Sequence, residues 1–338
     1  KDPLWFAAKY GGFKESLGGN NLPEGAEWDS DANGTPDNYF LVTNPLQLRE
    51  QLSKAFDLIA EQEKPAGGLA NTGSRIGLNS QEFVPEYRVD ASEREWTGDL
   101  KAFEIKLEGS RGPQQWSAKV RLAAASPSSR RIITTNVTGP AATHTAVSFL
   151  ASSFGANRAD QVGAIGLTTG QVDTRFSTTT TGEDLYNYLR GDKTKEQSQT
   201  GGVFRNRTAL IGSIINSEPE VSLKSDVFRW INVSALRTSY QTYITAKRAN
   251  TSRPNLILVG SNNGYLHGFN TANGDEVFAY LPASARVQLG EVARPTFTHR
   301  YLMDGDITAV DAQINGDWGT VALGATGRGG KSIFALDI

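Results

Sequence analysis

The stretch from Asn255 to Pro282, NLILVGSNNGYLHGFNTANGDEVFAYLP, leaves the chain few ways to fold. Leu256 to Val259 is an apolar run too short for a comfortable helix. Ser261-Asn262-Asn263-Gly264 then breaks it with residues that accept positive φ. Tyr265 to Asn270 alternates large and small side chains, Thr271 to Asp275 turns the chain again, and Glu276 to Leu281 leads back. Strand, Asn-Gly turn, strand, Asn-Gly turn, strand spells an antiparallel meander. The same pattern fits any three-stranded sheet, and it fits the repeating blade of a β-propeller.

A second meander follows and favours the propeller. Asp306 to Gln313 alternates, Asn315-Gly316 turns, Trp318 to Gly324 returns, Gly327 to Gly330 turns again, and SIFALDI ends the chain. A propeller closes by pairing its last strand with its first blade, so we expect a fragment of a larger protein. Together, SNNGYLHGFNTANGDEVFAYLP, MDGD and WGTVALGATGRGGKSIFALDI resemble the propeller of the type IV pilus tip adhesins, the PilC/PilY family. LWFAAKYGGF, WDSDANGTPDNYFLVTNPLQLREQL, EWTGDLKAF and FRNRTALIGSIINSEPEV are similar to further phrases of that family. The resemblance covers nearly the whole chain and is weakest between about Ala123 and Thr180.

Composition limits the alternatives. A chain of 338 residues can bury one large core or two smaller ones. A net charge of −2 and the lack of a basic run with interleaved aromatics argue against a nucleic-acid binder. No run of about 18 apolar residues occurs, so no membrane-spanning segment is expected. The absence of cysteine removes disulfides, thiol catalysis and Cys-based zinc sites.

The clearest chemistry lies at Asp29-Ser30-Asp31-Ala32-Asn33-Gly34-Thr35-Pro36-Asp37. Oxygen ligands at positions 1, 3 and 5, a backbone carbonyl at 7 and a carboxylate at 9 wrap a hard cation, with Gly at 6 for the sharp turn. Asp29, Asp31, Asn33 and Asp37 supply side-chain oxygens here and Thr35 its carbonyl. Position 12 is Phe40 instead of the bidentate Glu of an EF-hand, so a further ligand must come from elsewhere or from water. Ca²⁺ is expected over Mg²⁺, which demands tighter octahedral geometry. A polar turn is the plain alternative. The family resemblance also implies a calcium loop at this place.

Several other elements are readable. Asp2-Pro3 opens a short helix ended by Gly11-Gly12, and Asn44-Pro45 opens another with an apolar stripe through Leu48, Leu52, Phe56 and Ile59. Lys64 to Gly68 reads as a linker, which places an N-terminal extension at 1–65 and partial propeller blades at 66–338. Strands are expected at Phe83–Val89, Leu100–Leu107, Trp116–Leu122 and Arg131–Val137, and a buried strand at Leu210–Ile215. Tyr240 to Lys247 fits either a helix or a strand. Gly182 to Arg190 reads as a helix with Gly191 as its C-cap. Arg190-Gly191-Asp192 also spells RGD, a candidate cell-attachment tripeptide for integrin-type receptors. Arg205 and Arg207 are candidates to bind an anion or to tie blades together.

Enzyme signatures are missing. The histidines His144, His267 and His299 have no metal-ligand spacing to one another, and no nucleophile elbow, Walker loop or HExxH occurs. His267 is expected to be a packed blade residue. The expected fold is therefore mostly β: a partial, quinoprotein-like β-propeller with a short helical, calcium-loop-bearing N-terminal extension. The family resemblance implies a non-catalytic adhesin and assembly factor at the bacterial surface. It places that factor at the pilus tip or associated with the outer membrane, with major and minor pilins as partners in pilus extension, twitching and attachment. The alternatives are a quinoprotein-like dehydrogenase and a purely structural, calcium-stabilised propeller.

Overall fold

The computed structural model describes residues 3–11, 13, 22–29, 32–36, 39, 70–71, 80–89, 95–136 and 145–338. The chain divides into two compact units, Lys1–Lys64 and Pro65–Ile338. In the first, helix α1 (Pro3–Gly11) buries Trp5, whose ring meets Trp28 edge-on at 5.5 Å. Lys9 Nζ lies 4.1 Å from the Trp28 ring centre. The helix expected after Asn44 and the linker at 64–68 lie outside the described residues.

Among its described residues the second unit holds three antiparallel sheets, the middle one extended by a parallel pair. The first sheet is β1 (Ala70–Asn71), β2 (Gln81–Val89), β3 (Trp96–Ile105) and β4 (Arg111–Ser117), in sequence order. The middle sheet contains the first meander as β8 (Leu256–Gly260), β9 (Leu266–Asn270) and β10 (Glu276–Leu281). β7 (Glu220–Ser222) flanks β8, while β5 (Ile132–Asn136) and β6 (Thr145–Ser148) extend the sheet beyond β10. β5 runs parallel to β10, pairing Ile132 with Ala279. The third sheet is the second meander, β11 (Ile307–Ile314), β12 (Asp317–Ala325) and β13 (Ile333–Asp337).

The apolar run in β8 has a physical reason. Side chains alternate across a strand, and here both faces are covered. Ile257, Val259 and Phe269 pack with Phe83, Leu100 and Trp116 of the first sheet. Leu256, Leu258 and Leu266 pack with Met303, Ile307, Ala309 and Ala322 on the side of the third sheet. A sheet buried on both faces by its neighbours is a propeller blade between two others. No described sheet closes on itself.

Polar fasteners lock the first sheet to the middle one. Trp116 Nε1 donates to the Thr271 carbonyl at 2.8 Å, and Gly98 N donates to Ile211 O at 3.1 Å in the segment before β7, whose Ser213 carbonyl in turn accepts from Asn262 N in the turn after β8. Gly98 is required there, because a Cβ would sit 2.1 Å from the Gly212 carbonyl oxygen, which is backbone and cannot rotate away. Gly98→Ala should therefore lower stability by about 1–3 kcal/mol, read as a fall in the urea midpoint with an unchanged slope.

Two local expectations are corrected. Trp116–Leu122 is not one strand: β4 ends at Ser117, whose hydroxyl accepts from Val120 N and caps helix α2 (Ala118–Ala124). Good helix formers follow that cap, and Leu122 still points into the core. Leu210–Ile215 buries Ile211 and Ile214 as expected, but without strand pairing beyond a single bridge, Thr97 to Gly212. Gly212 passes so close to the Asn262-Asn263 turn that a Cβ would lie 2.3 Å from Asn263 N. Between β6 and β7 the chain is helical, as expected for Gly182–Arg190. Helices α3 (Arg158–Gly163), α4 (Thr169–Arg175) and α5 (Gly182–Arg190) form a layer packed on Ile132, Ala279 and Leu281. Tyr240–Lys247 falls within helix α6 (Arg237–Ala249).

Candidate functional site

Three of the five expected cation ligands, Asp29, Asn33 and Thr35, are described; Asp31 and Asp37 lie outside the described residues. Asp29 is buried, and its carboxylate accepts from Asn33 N at 2.9 Å and Gly34 N at 2.7 Å. Asn33 Oδ1 accepts from Thr35 N at 2.7 Å. Positive φ at Ala32 (55°) and Gly34 (78°) curls the backbone around these oxygens. Each carboxylate oxygen has two acceptor sites, so the Asp29 oxygens keep capacity for a cation after taking these donors. The described donor set is all oxygen, which suits a hard ion.

The RGD tripeptide is placed very differently from a displayed ligand. Arg190 is buried at 5% exposure, and its guanidinium donates to the carbonyls of Phe149 (3.2 Å), Pro127 (3.0 Å) and Arg130 (2.7 Å). Gly191 has φ of 122° and caps α5. An arginine that satisfies backbone carbonyls in the interior cannot present its charge to a receptor. Arg207 is likewise engaged, on Glu196 (2.8 Å) and on the carbonyls of Tyr188 and Asp192 (both 2.7 Å). Arg205 donates to Val292 O at 3.2 Å and lies 3.6 Å from Glu95. Both are therefore ties between elements. The cavity beside them, with Trp96, Phe297 and His299 in its wall, measures about 50 Å³. That is room for about one or two waters.

Two buried charge networks hold the blades. In the first, Arg130 grips Glu276 with two hydrogen bonds, at 2.7 and 2.9 Å, linking the start of β5 to β10. Glu276 Oε1 also lies 2.7 Å from His267 Nδ1, and His267 Nε2 lies 3.0 Å from Ser261 Oγ. The sequence of groups matches a serine–histidine–carboxylate triad, but Ser261 and His267 are both 0% exposed. No substrate reaches that hydroxyl, so the network acts as a fastener inside the blade. Burial lowers the His267 pKa and keeps the ring neutral. Burial alone would raise the Glu276 pKa, yet the Arg130 charge and the hydrogen bonds from His267 and Arg130 bring it down to about 2.

The second network joins α6 to the third sheet. Lys247 Nζ meets both Asp311 oxygens, at 2.9 and 2.6 Å, with side chains 1% and 0% exposed. Tyr240 OH (2.7 Å) and Thr320 Oγ1 (2.8 Å) complete the carboxylate's partners. Neither network was anticipated from sequence. The available signal was register: Asp311 continues the inward stripe Ile307, Ala309 of β11, where an acid demands a buried partner. Among the described residues, no group of three His, Asp or Glu is placed to hold a metal, and no helix is long and apolar enough to cross a membrane.

Sheets stacked face to face, with charge networks sealed between their elements, define this as a segment of a β-propeller. Residues 211–338 match the PilY1 beta-propeller domain family. The whole chain is 36% identical to a type IV pilus biogenesis factor PilY1 homolog of Xylella fastidiosa, covering 23% of that protein. Over 99% of its length it is 27% identical to the type IV pilus biogenesis factor PilY1 of Pseudomonas aeruginosa, covering 29% of it. The chain therefore belongs to the PilY1 family, and it spans about a quarter of the length of these relatives. No solved structure matches it.

Proposed function

We propose that this chain is a calcium-binding, non-catalytic propeller segment of a type IV pilus-associated factor at the bacterial cell surface. In this reading the whole protein works at the pilus tip, contacting pilins to support pilus extension, twitching and surface attachment. The observation that carries the pilus role is the end-to-end similarity to proteins named as type IV pilus biogenesis factors. The calcium role is supported by the D-x-D-x-N-G-x-x-D spacing and by the curled backbone around Asp29. Asp29, Asp31, Asn33 and Asp37 would hold the ion with the Thr35 carbonyl. The ion supplies charge neutralisation that lets the acids share one loop.

The test is genetic and uses the full-length protein in its own bacterium. Deleting the gene should abolish or sharply reduce surface pili, and Asp29→Ala with Asp31→Ala should reduce piliation and twitching while the protein still reaches the surface. Normal piliation in the deletion strain refutes the pilus role. Normal piliation and twitching in the double variant refute the calcium role alone.

A further inference from the structure

Charge is unevenly distributed along the chain. Between Lys224 and Gly274 there are six Lys or Arg and one acid, Asp226, a net +5 on a chain whose total is −2. Lys247 is neutralised inside by Asp311, but Arg229, Arg237 and Arg248 are exposed. Among the described residues none of these three arginines lies within ion-pair distance of a carboxylate.

The three are gathered on one face. Arg237 and Arg248 are eleven residues apart in α6, three helical turns, so they share a side about 16 Å apart. Arg237 Nε donates to Ile231 O at 3.0 Å, and Arg248 Nη2 donates to Ser225 O at 3.1 Å. The segment 224–233 therefore runs antiparallel along that flank of α6. It sets Arg229 among exposed apolar side chains, Val227 (43%), Trp230 (38%) and Val233 (40%). The face is held rigidly from beneath. Tyr240 OH accepts from Phe228 N at 2.8 Å, Trp230 Nε1 donates to Asp311 O at 2.6 Å, and Lys247 anchors the helix.

We propose that this face docks an acidic segment of a partner protein, one that carries carboxylates beside apolar or aromatic side chains. The exposed cations here are arginines, whose planar guanidinium matches a carboxylate with two parallel hydrogen bonds. Arg and Trp are also enriched at protein interfaces, and a rigid, pre-ordered face binds with less entropic loss. A nucleic acid would satisfy the arginines but would leave Val227 and Val233 against phosphate.

The probes are a random glutamate–tyrosine copolymer, polyglutamate and duplex DNA, each titrated into the chain at two salt concentrations. The copolymer should bind most tightly and weaken with salt. Arg229→Gln, Arg237→Gln and Arg248→Gln together should weaken it about tenfold, the sum of three modest exposed pairs, and Arg229→Gln alone, which leaves the Arg237–Ile231 and Arg248–Ser225 hydrogen bonds in place, should weaken it about twofold with an unchanged melting temperature. Val227→Ser with Val233→Ser should reduce copolymer binding while sparing polyglutamate. The proposal is overturned if the copolymer does not bind, if the triple variant binds it like the wild type, or if duplex DNA binds as tightly. These outcomes do not depend on the pilus reading.

Discussion

Replacing Asp311 with Ala should cost about 3–5 kcal/mol of stability, because it strands a buried ammonium. Lys247 has a side chain only 1% exposed and takes both carboxylate oxygens as its acceptors. Tyr240 OH and Thr320 Oγ1 would lose their acceptor in the same step. Urea unfolding should therefore show a large fall in midpoint. Lys247→Met combined with Asp311→Leu removes both charges and should recover part of the loss, since an apolar pair has no desolvation cost to offset. Recovery should be incomplete, because Tyr240 OH loses the buried acceptor that Asp311 gave it. A loss below 1 kcal/mol in the single variant would mean that α6 is not held by this pair.

Glu276→Gln should be comparably severe, at about 3–5 kcal/mol, because Arg130 is then buried without its counter-charge. It should also change the acid limb of the stability profile. The folded pKa of Glu276 lies near 2, below its ordinary 4.5. Its contribution is therefore present above about pH 4.5 and is lost as pH falls towards 2. His267, whose pKa is also lowered on folding, adds a loss in the same direction that begins as pH falls through 6.5. Wild-type stability should thus decline first below about pH 6.5 and again below 4.5. The variant should start lower at pH 7 and show a shallower second decline, carried by other carboxylates such as Asp184 and Glu291 whose pKa is also lowered on folding. Parallel profiles for the two proteins would show that Glu276 carries no folded-state charge partner.

The architecture was legible wherever local chemistry determines local shape. Asn263-Gly264, Asn273-Gly274 and Asn315-Gly316 marked turns because Gly264, Gly274, Asn315 and Gly316 adopt positive φ, and the strands between them followed. The double-sided burial of β8 was written in its unbroken Leu-Ile-Leu-Val run. The helical layer of α3 to α5 was only partly legible, through Gly182–Arg190. Its other helices are short, at six and seven residues, and depend on caps from Asn157 and Thr168 more than on an apolar stripe. The charge networks join residues 64 and 146 positions apart. No window of sequence contains both partners, and a lone Lys or Glu reads as surface. The Arg190-Gly191-Asp192 motif shows the converse failure, where a short pattern is readable but its arginine faces inward.

The central claim is that the Asp29–Asp37 loop holds calcium in a pilus-associated propeller protein. It is tested most directly by calorimetric titration of Ca²⁺ into the chain, alongside melts in calcium and in chelator. Saturable binding of about one ion per chain is predicted. The melt should rise in calcium, and both effects should disappear in Asp29→Ala with Asp31→Ala. No saturable heat, or a double variant that binds like the wild type, would contradict the claim and leave the loop as an acidic turn.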